Sequence, residues 1–262
     1  MLEHYSTLKL ERRGLALWVC IDNPPVNAAT PAMKAELNRL FRDLSNDSET
    51  RCVVFTGAGT SFSAGGDIQR MARMIENRAL WMESMAEARQ LVTDMLDCDK
   101  PIIARINGPA LGLGATIALC CDITVMAESA RIGDTHVRMG LAAGDGGALL
   151  WPPLVGIVAA RRYLLTGDLL NGREAADIGL VTVAVPDALL DDEVQRWVDK
   201  LGSGATQAIG ATKRALNMRL RQEAAAYMDA HLGLETLSQL SQDHEEGVRA
   251  FLEKRKPDFT GR

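Results

Sequence analysis

The sequence lacks most of the short signatures that assign a function quickly. No G-K-[ST] closes a glycine loop, so a phosphate-binding loop is excluded. No G-x-S-x-G occurs, which excludes a nucleophile elbow. The four histidines (His4, His136, His231 and His244) are scattered and share no H-E-x-x-H-like spacing, so no metal is expected. The five cysteines are odd in number and form no C-x-x-C. Most of them fall in apolar runs, which is the pattern of buried free thiols in a reducing cytoplasm. The net charge of −5 offers no basic excess, so nucleic acid is not expected as a partner. No run approaches the roughly 18 apolar residues of a membrane span. Met1 to Arg13 is polar and mixed in charge, so neither a secretory signal nor a membrane location is expected.

What is present is a well-patterned chain of 262 residues, 47% hydrophobic, long enough for one large domain or one domain with an appendage. Thr7–Leu10 and Leu15–Ile21 flank the turn at Arg13-Gly14 and predict a β-hairpin. Thr30-Pro31 starts a helix, with Thr30 as N-cap and an apolar stripe of Met33, Leu37, Leu40, Phe41 and Leu44. Cys52–Thr56, Ile102–Ile106, Ile123–Ala127 and Val181–Val185 predict buried strands. Between them lie a helix from about Ile68, a long one over Asn77–Asp97, and one over Leu113–Cys121. Ala130–Gly147 is irregular and rich in glycine, and a helix over Ala148–Tyr163 is interrupted by Pro152-Pro153 and Gly156. From Asp187 onward only helices are predicted: Asp191–Leu201, Ala205–Leu220, Glu223–Leu240 and Asp243–Lys254. The fold class is therefore α/β with an all-α C-terminal part.

Two glycine-rich loops follow strands and open helices: Gly57–Asp67 and Asn107–Gly114. The first is not a dinucleotide fingerprint, because the third glycine position falls on Phe62. The first turn of a helix leaves N–H groups without intrahelical partners, and glycine lets a ligand approach the backbone closely. Two such elements can each aim one N–H at a single anionic oxygen, which suits chemistry that builds charge on a carbonyl. A tight strand-to-helix connection would use the same residues.

The motifs Phe62-Ser-Ala-Gly-Gly-Asp-Ile68, Asn107-Gly-Pro-Ala-Leu-Gly-Leu-Gly114, Cys121-Asp-Ile123, Leu165-Thr-Gly-Asp168, Ala175-x-x-x-Gly-Leu-Val181 and Glu253-Lys-Arg-Lys-Pro257 resemble the crotonase superfamily, the enoyl-CoA hydratases and isomerases, in order and spacing over nearly the whole chain. The resemblance implies a spiral of ββα units over residues 1–200, a helical oligomerisation region over 201–262, and trimers or dimers of trimers. It implies a coenzyme A thioester as substrate, with no separate cofactor. The thioester carbonyl would be held by the N–H groups of Gly66 and Leu113. Val26, Ala28, Ala64, Gly65, Asp67 and Ile68 fall at substrate-binding positions, and so do Thr116 and Glu235. Asp67 would also cap the helix after Gly66.

The chain departs from this pattern where family hydratases carry two glutamates: it has Thr116 and His136. Threonine has no useful acid–base pKa, whereas histidine titrates near neutrality. His136 and Asp145 lie nine residues apart across a glycine-rich bend. An imidazole beside a carboxylate is a competent proton carrier. Members of 6-oxocamphor hydrolase type, which cleave a carbon–carbon bond in β-diketones, use a His/Asp pair similar in placement. The expectation is an enoyl-CoA hydratase/isomerase-type enzyme with His136 as the main acid–base residue and Asp145 orienting it or acting beside it. The alternatives are C–C bond hydrolysis of a β-diketone or β-keto thioester, and an acyl-CoA binder without catalysis. Glu235 has two readings, a pocket residue or a solvated helix face. So does the basic run Lys254–Lys256, as a contact for coenzyme A phosphates or a charged terminus. Trp81, Met82 and Met85 lie on the helix that lines the acyl pocket in relatives, and core packing would use them equally well.

Overall fold

The computed structural model describes residues 4–262; Met1–Glu3, the start of the polar N-terminal stretch, lie outside the described residues. Strands β1 (Leu8–Arg13) and β2 (Ala16–Ile21) form the predicted hairpin, with Leu8 opposite Ile21. Helix α1 (Pro31–Ser45) begins as expected: Thr30 accepts a hydrogen bond from the Met33 N–H, and Met33, Leu37, Leu40 and Leu44 are fully buried. Strand β3 (Cys52–Gly57) pairs parallel with β2. Helices α2 (Ile68–Glu76) and α3 (Arg78–Asp97) follow, capped by the side chains of Asp67 and Asn77.

Next come β4 (Ile102–Ile106), the two-residue β5 (Ala110–Leu111) and α4 (Leu113–Leu119), then β6 (Ile123–Ala127) and β7 (Arg131–Gly133). A 3₁₀ turn, His136–Met139, leads to α5 (Gly147–Thr166), β8 (Leu170–Asn171), α6 (Gly172–Asp177) and β9 (Val183–Val185), and a second short 3₁₀ turn, Asp187–Leu189, follows. The chain ends in α7 (Leu190–Gly202), α8 (Thr206–Gln239) and α9 (Gln242–Leu252). One sheet runs β1-β2-β3-β4-β6-β9 and is parallel apart from the hairpin. A small second sheet, β5-β7-β8, stands beside it. The apolar strands of the main sheet are buried under α1, α3 and α7, as parallel strands require.

Four expectations are corrected. The last strand is shorter than Val181–Val185, because Val181 already belongs to the turn after α6. The two helices predicted over Ala205–Leu220 and Glu223–Leu240 are one helix of 34 residues. Nothing between Leu220 and Glu223 stops a helix, and the Arg219–Glu223 ion pair at 2.9 Å spans the junction. The irregular stretch Ala130–Gly147 holds β7 and the 3₁₀ turn. In α5 the break is at Gly156 (φ 75°, ψ 159°) rather than at the prolines. By length and composition α5 is also long and apolar enough to cross a membrane, contrary to the expectation from its interrupted apolar runs. It bends at Gly156 and packs against α8 and the 3₁₀ turn.

Candidate active site

The two glycine loops lie side by side. Phe62 and Ser63 donate to the Pro109 carbonyl, and Leu111 donates to Ser63. The Asn107 side chain bridges them, accepting from the Gly57 N–H at 3.2 Å and donating to the carbonyls of Gly57 and Gly59 at 3.0 and 3.1 Å. A Cβ at Gly114 would stand 2.3 Å from the Ser63 carbonyl oxygen, and one at Gly65 2.6 Å from that of Leu111, so the loops close only with glycine at both places. The result is that Gly66 and Leu113 line the same cavity, of about 620 Å³. Neither of their N–H groups finds an acceptor among the described residues. Leu113 is the first residue of α4, where an unpaired donor is inherent.

The opposite wall carries His136. The 3₁₀ turn presents it, and Asp134 fixes it: the Asp134 carboxylate accepts the His136 N–H at 3.2 Å and the Nδ1–H at 2.7 Å. The other ring nitrogen, Nε2, faces the Asp145 carboxylate at 3.4 Å and that of Glu235 at 4.0 Å. The first of these distances is long for a hydrogen bond, and the attraction is mainly between charges. One oxygen each of Asp145 and Glu235 is buried without a hydrogen-bond partner. Orphaned buried acceptors of this kind cost free energy and recur where a ligand completes the site.

Glycine again allows the approach. A Cβ at Gly144 would meet the Glu235 Oε2 at 2.8 Å, and one at Gly147 the Asp134 Oδ2 at 2.1 Å. The Ala142 N–H donates to Ser238 Oγ at 2.9 Å, and Trp81 Nε1–H to Thr236 Oγ1 at 2.9 Å, so α8 is pinned on both sides of Glu235.

Burial disfavours a charge on His136, but Asp134 and Asp145 outweigh it and hold the imidazole well above its ordinary pKa. Burial pushes Asp134 up, and the His136 charge and hydrogen bonds bring it below its usual range. Burial, then the Asp145 charge, push Glu235 up to about 8 against the pull of His136. The two aspartates thus favour the charged form of His136, and burial favours the protonated form of Glu235.

The structure brings most of the sequence-selected residues to this cavity. Val26, Ala28, Ala64, Gly65, Asp67 and Ile68 line it beside Gly66 and Leu113, and His136, Asp145 and Glu235 face them. Thr116 is not in its lining: it is buried behind Gly146, whose added Cβ would fall 2.4 Å from Thr116 Cγ2. Glu235 is 2% exposed, so the solvated-face reading is overturned. Trp81 and Met85 line the cavity, whereas Met82 points to solvent. In the basic run Arg255 reaches the cavity but is engaged by Glu246 and Glu253, and its neighbours Lys254 and Lys256 are exposed.

Sequence reading missed the role of Asp134. The partner that orients His136 is Asp134, and Asp145 lies on the opposite ring nitrogen, beside it. An acidic residue two positions before a buried histidine was the available signal. His136, Asp145 and Glu235 also gather ligand-type atoms within 4.8 Å of one another, a grouping that no linear spacing reveals.

Two glycine loops with unpaired N–H donors and the cluster of His136, Asp145 and Glu235 thus line one cavity of an α/β fold. The sequence profile described as "Enoyl-CoA hydratase/isomerase" matches residues 12–262. A probable enoyl-CoA hydratase of Rhodobacter capsulatus is 34% identical over 98% of this chain and 99% of its own. A short-chain-enoyl-CoA hydratase of Clostridium acetobutylicum is 34% identical over 94% of this chain and 95% of its own. The crystal structure of an enoyl-CoA hydratase/isomerase from Mycobacterium paratuberculosis superposes with a TM-score of 0.88 at 32% identity, covering 93% of this chain and 97% of that one. The chain belongs to the enoyl-CoA hydratase/isomerase family of enzymes.

Proposed function

We propose that the protein acts on an acyl-CoA through a thioester enolate, with the carbonyl oxygen held by the N–H groups of Gly66 and Leu113 and protons carried by His136 and Asp145. The observation that carries this reading is the His136 imidazole, facing two carboxyl groups that each keep an unpartnered oxygen, in the cavity that two free N–H donors also line. In hydration of a 2-enoyl-CoA, water sits against the free oxygens of Asp145 and Glu235. Asp145 takes its proton as the oxygen attacks Cβ, and charge moves to the thioester oxygen in the hole. The Nε2–H of His136 protonates Cα. Asp145, 3.4 Å from Nε2, then returns its proton to the imidazole and the site is reset. Protonated Glu235 keeps a further negative charge away from the forming enolate.

A second reading is favoured by the position of Thr116, which leaves no group at the place of the second hydratase glutamate. The same activated water would attack the β-carbonyl of a β-keto thioester or β-diketone. Collapse of the tetrahedral intermediate breaks the Cα–Cβ bond, the enolate departs into the hole, and His136 protonates it.

Turnover of crotonyl-CoA, of a β-ketoacyl-CoA and of a cyclic β-diketone, followed by product analysis, separates the two. His136→Ala should lower kcat/KM by about 10³-fold on the active substrate. Activity that survives this change sinks the mechanism, and tight acyl-CoA binding without turnover of any of the three favours a binder. The exposed apolar side chains of α5 and α8, among them Val158, Leu165, Leu216 and Leu237, support a homotrimer or hexamer, which light scattering reads directly. Five free thiols support a cytoplasmic location.

A further inference from the structure

Away from His136, the cavity has a second polar feature that the proposed chemistry does not use. Lys34 on α1 and Arg70 on α2 both line it, and they are 2% and 6% exposed. Lys34 Nζ donates to Ser84 Oγ at 2.8 Å and pairs with Glu87 of α3. Arg70 has only the edge of that same carboxylate, at 3.9 Å from Nη2, and its Nε is buried with no partner. Two buried cations therefore share one carboxylate. Buried charges are ordinarily paired, and a guanidinium presents a fork that matches a carboxylate through two parallel hydrogen bonds.

The surroundings fix where the missing anion belongs. Trp81, Met85 and Ala88 of α3 flank the cluster on the cavity wall. Burial lowers the pKa of Lys34, Glu87 opposes that, and the Asp145 charge is felt as well, so the cluster lies within electrostatic reach of the proton-carrying wall. The position is interior and walled by helices. Both side chains are almost fully buried, so the group that meets them comes from within the cavity.

We infer that Lys34 and Arg70 form an anion subsite that takes a carboxylate at the far end of the acyl group, so that the preferred substrate is the coenzyme A monoester of a dicarboxylic acid. The inference rests on the acyl-CoA reading of the cavity. It adds that Glu87 and Ser84 hold Lys34 in place while the Arg70 fork meets the incoming carboxylate.

Calorimetry with saturated esters tests it without turnover: pentanoyl-CoA against glutaryl-CoA, and hexanoyl-CoA against adipoyl-CoA. At least one ω-carboxyl ester should bind about tenfold or more tighter than its neutral match. Arg70→Gln, and separately Lys34→Met, should collapse that ratio to near one. Equal binding in the unaltered protein, or a ratio that survives both changes, overturns the subsite. Free coenzyme A is the third arm: if Arg70→Gln weakens it as much as the ω-carboxyl ester, these residues serve phosphates and the assignment fails. If no ester binds, the acyl-CoA reading is what has failed, and free glutarate decides the subsite. Saturable glutarate binding that Arg70→Gln removes keeps it, and its absence overturns it.

Discussion

The cavity has two walls made in different ways. One is backbone: the loops Gly57–Gly66 and Asn107–Leu113, zipped by local strand-like hydrogen bonds and offering N–H groups. The other is side chain: His136, Asp145 and Glu235, assembled from a 3₁₀ turn, a glycine bend and the middle of α8. The first wall depends on which residues have no Cβ. The second depends on burial and charge, and so on pH. A donor fixed in the backbone cannot titrate, whereas a histidine held between Asp134 and Asp145, with the carboxyl of Glu235 beside it, is a balance that one substitution can tip.

The largest expected effect falls on the side-chain wall. Asp134→Asn keeps the shape but removes the charge that most raises the His136 pKa. The imidazole should then titrate lower and lose its fixed tautomer, and kcat should fall by about 10³-fold with KM little altered. Proton NMR of the His136 ring follows the pKa directly. An unmoved titration would mean that Asp145 alone sets the charge. On the backbone wall, proline at the first helical position removes an N–H and otherwise suits the helix. Leu113→Pro should therefore cost about 10²-fold in kcat beyond the loss caused by Leu113→Ala, which removes the side chain and keeps the donor. Equal activity of the two variants would show that the Leu113 N–H has no part in the proposed oxyanion hole.

This difference between the walls also explains what was legible in the sequence. Gly65-Gly66-Asp67 and Gly112-Leu113-Gly114 form their wall from neighbours in the chain, so glycine spacing marks the two elements and the family resemblance marks Gly66 and Leu113 within them. Strands such as Ile102–Ile106 are visible for the same reason, as short apolar runs bounded by turn residues. Glu235 is different. It meets His136 only because Ala142 and Ser238, 96 residues apart, are hydrogen-bonded and Trp81 holds Thr236. A helical residue with polar neighbours looks solvated until its packing is known. Thr116 fails in the opposite way. Its place in the motif points to the cavity, but the bend at Gly146 intervenes, and that bend is a tertiary feature. Asp134 drew no reading from the sequence because its partner's burial was hidden.

A smaller effect tests the pH sensitivity of the second wall. Glu235, held at about 8, is protonated in the working enzyme, and its ionisation places a second uncompensated charge beside the enolate. Rates should fall as pH rises through about 8, and Glu235→Gln should remove that limb while changing the plateau by about tenfold or less. Stability follows the same sign. The folded pKa lies above the ordinary glutamate value of 4.5, so the folded state holds the proton more tightly. Its contribution is fully present below pH 4.5 and is lost as pH rises to about 8. Glu235→Gln should accordingly raise Tm relative to the unaltered protein at pH 9 and not at pH 4. A pH-independent difference would mean that the carboxyl is not held neutral.

The smallest expected effect concerns the residue that belongs to neither wall. Thr116 is buried, outside the cavity lining, and packs against Gly146. If proton transfer runs through His136 and Asp145, the Thr116 hydroxyl takes no part in it. Thr116→Val keeps the branched shape that fills the space behind the bend, so kcat/KM should stay within about twofold. Thr116→Glu would instead push a longer carboxylate against Gly146 and displace Asp145, lowering activity rather than restoring the two-glutamate arrangement. A gain in crotonyl-CoA hydration from Thr116→Glu would show that the bend yields, and that position 116 is separated from the substrate only by the size of its side chain.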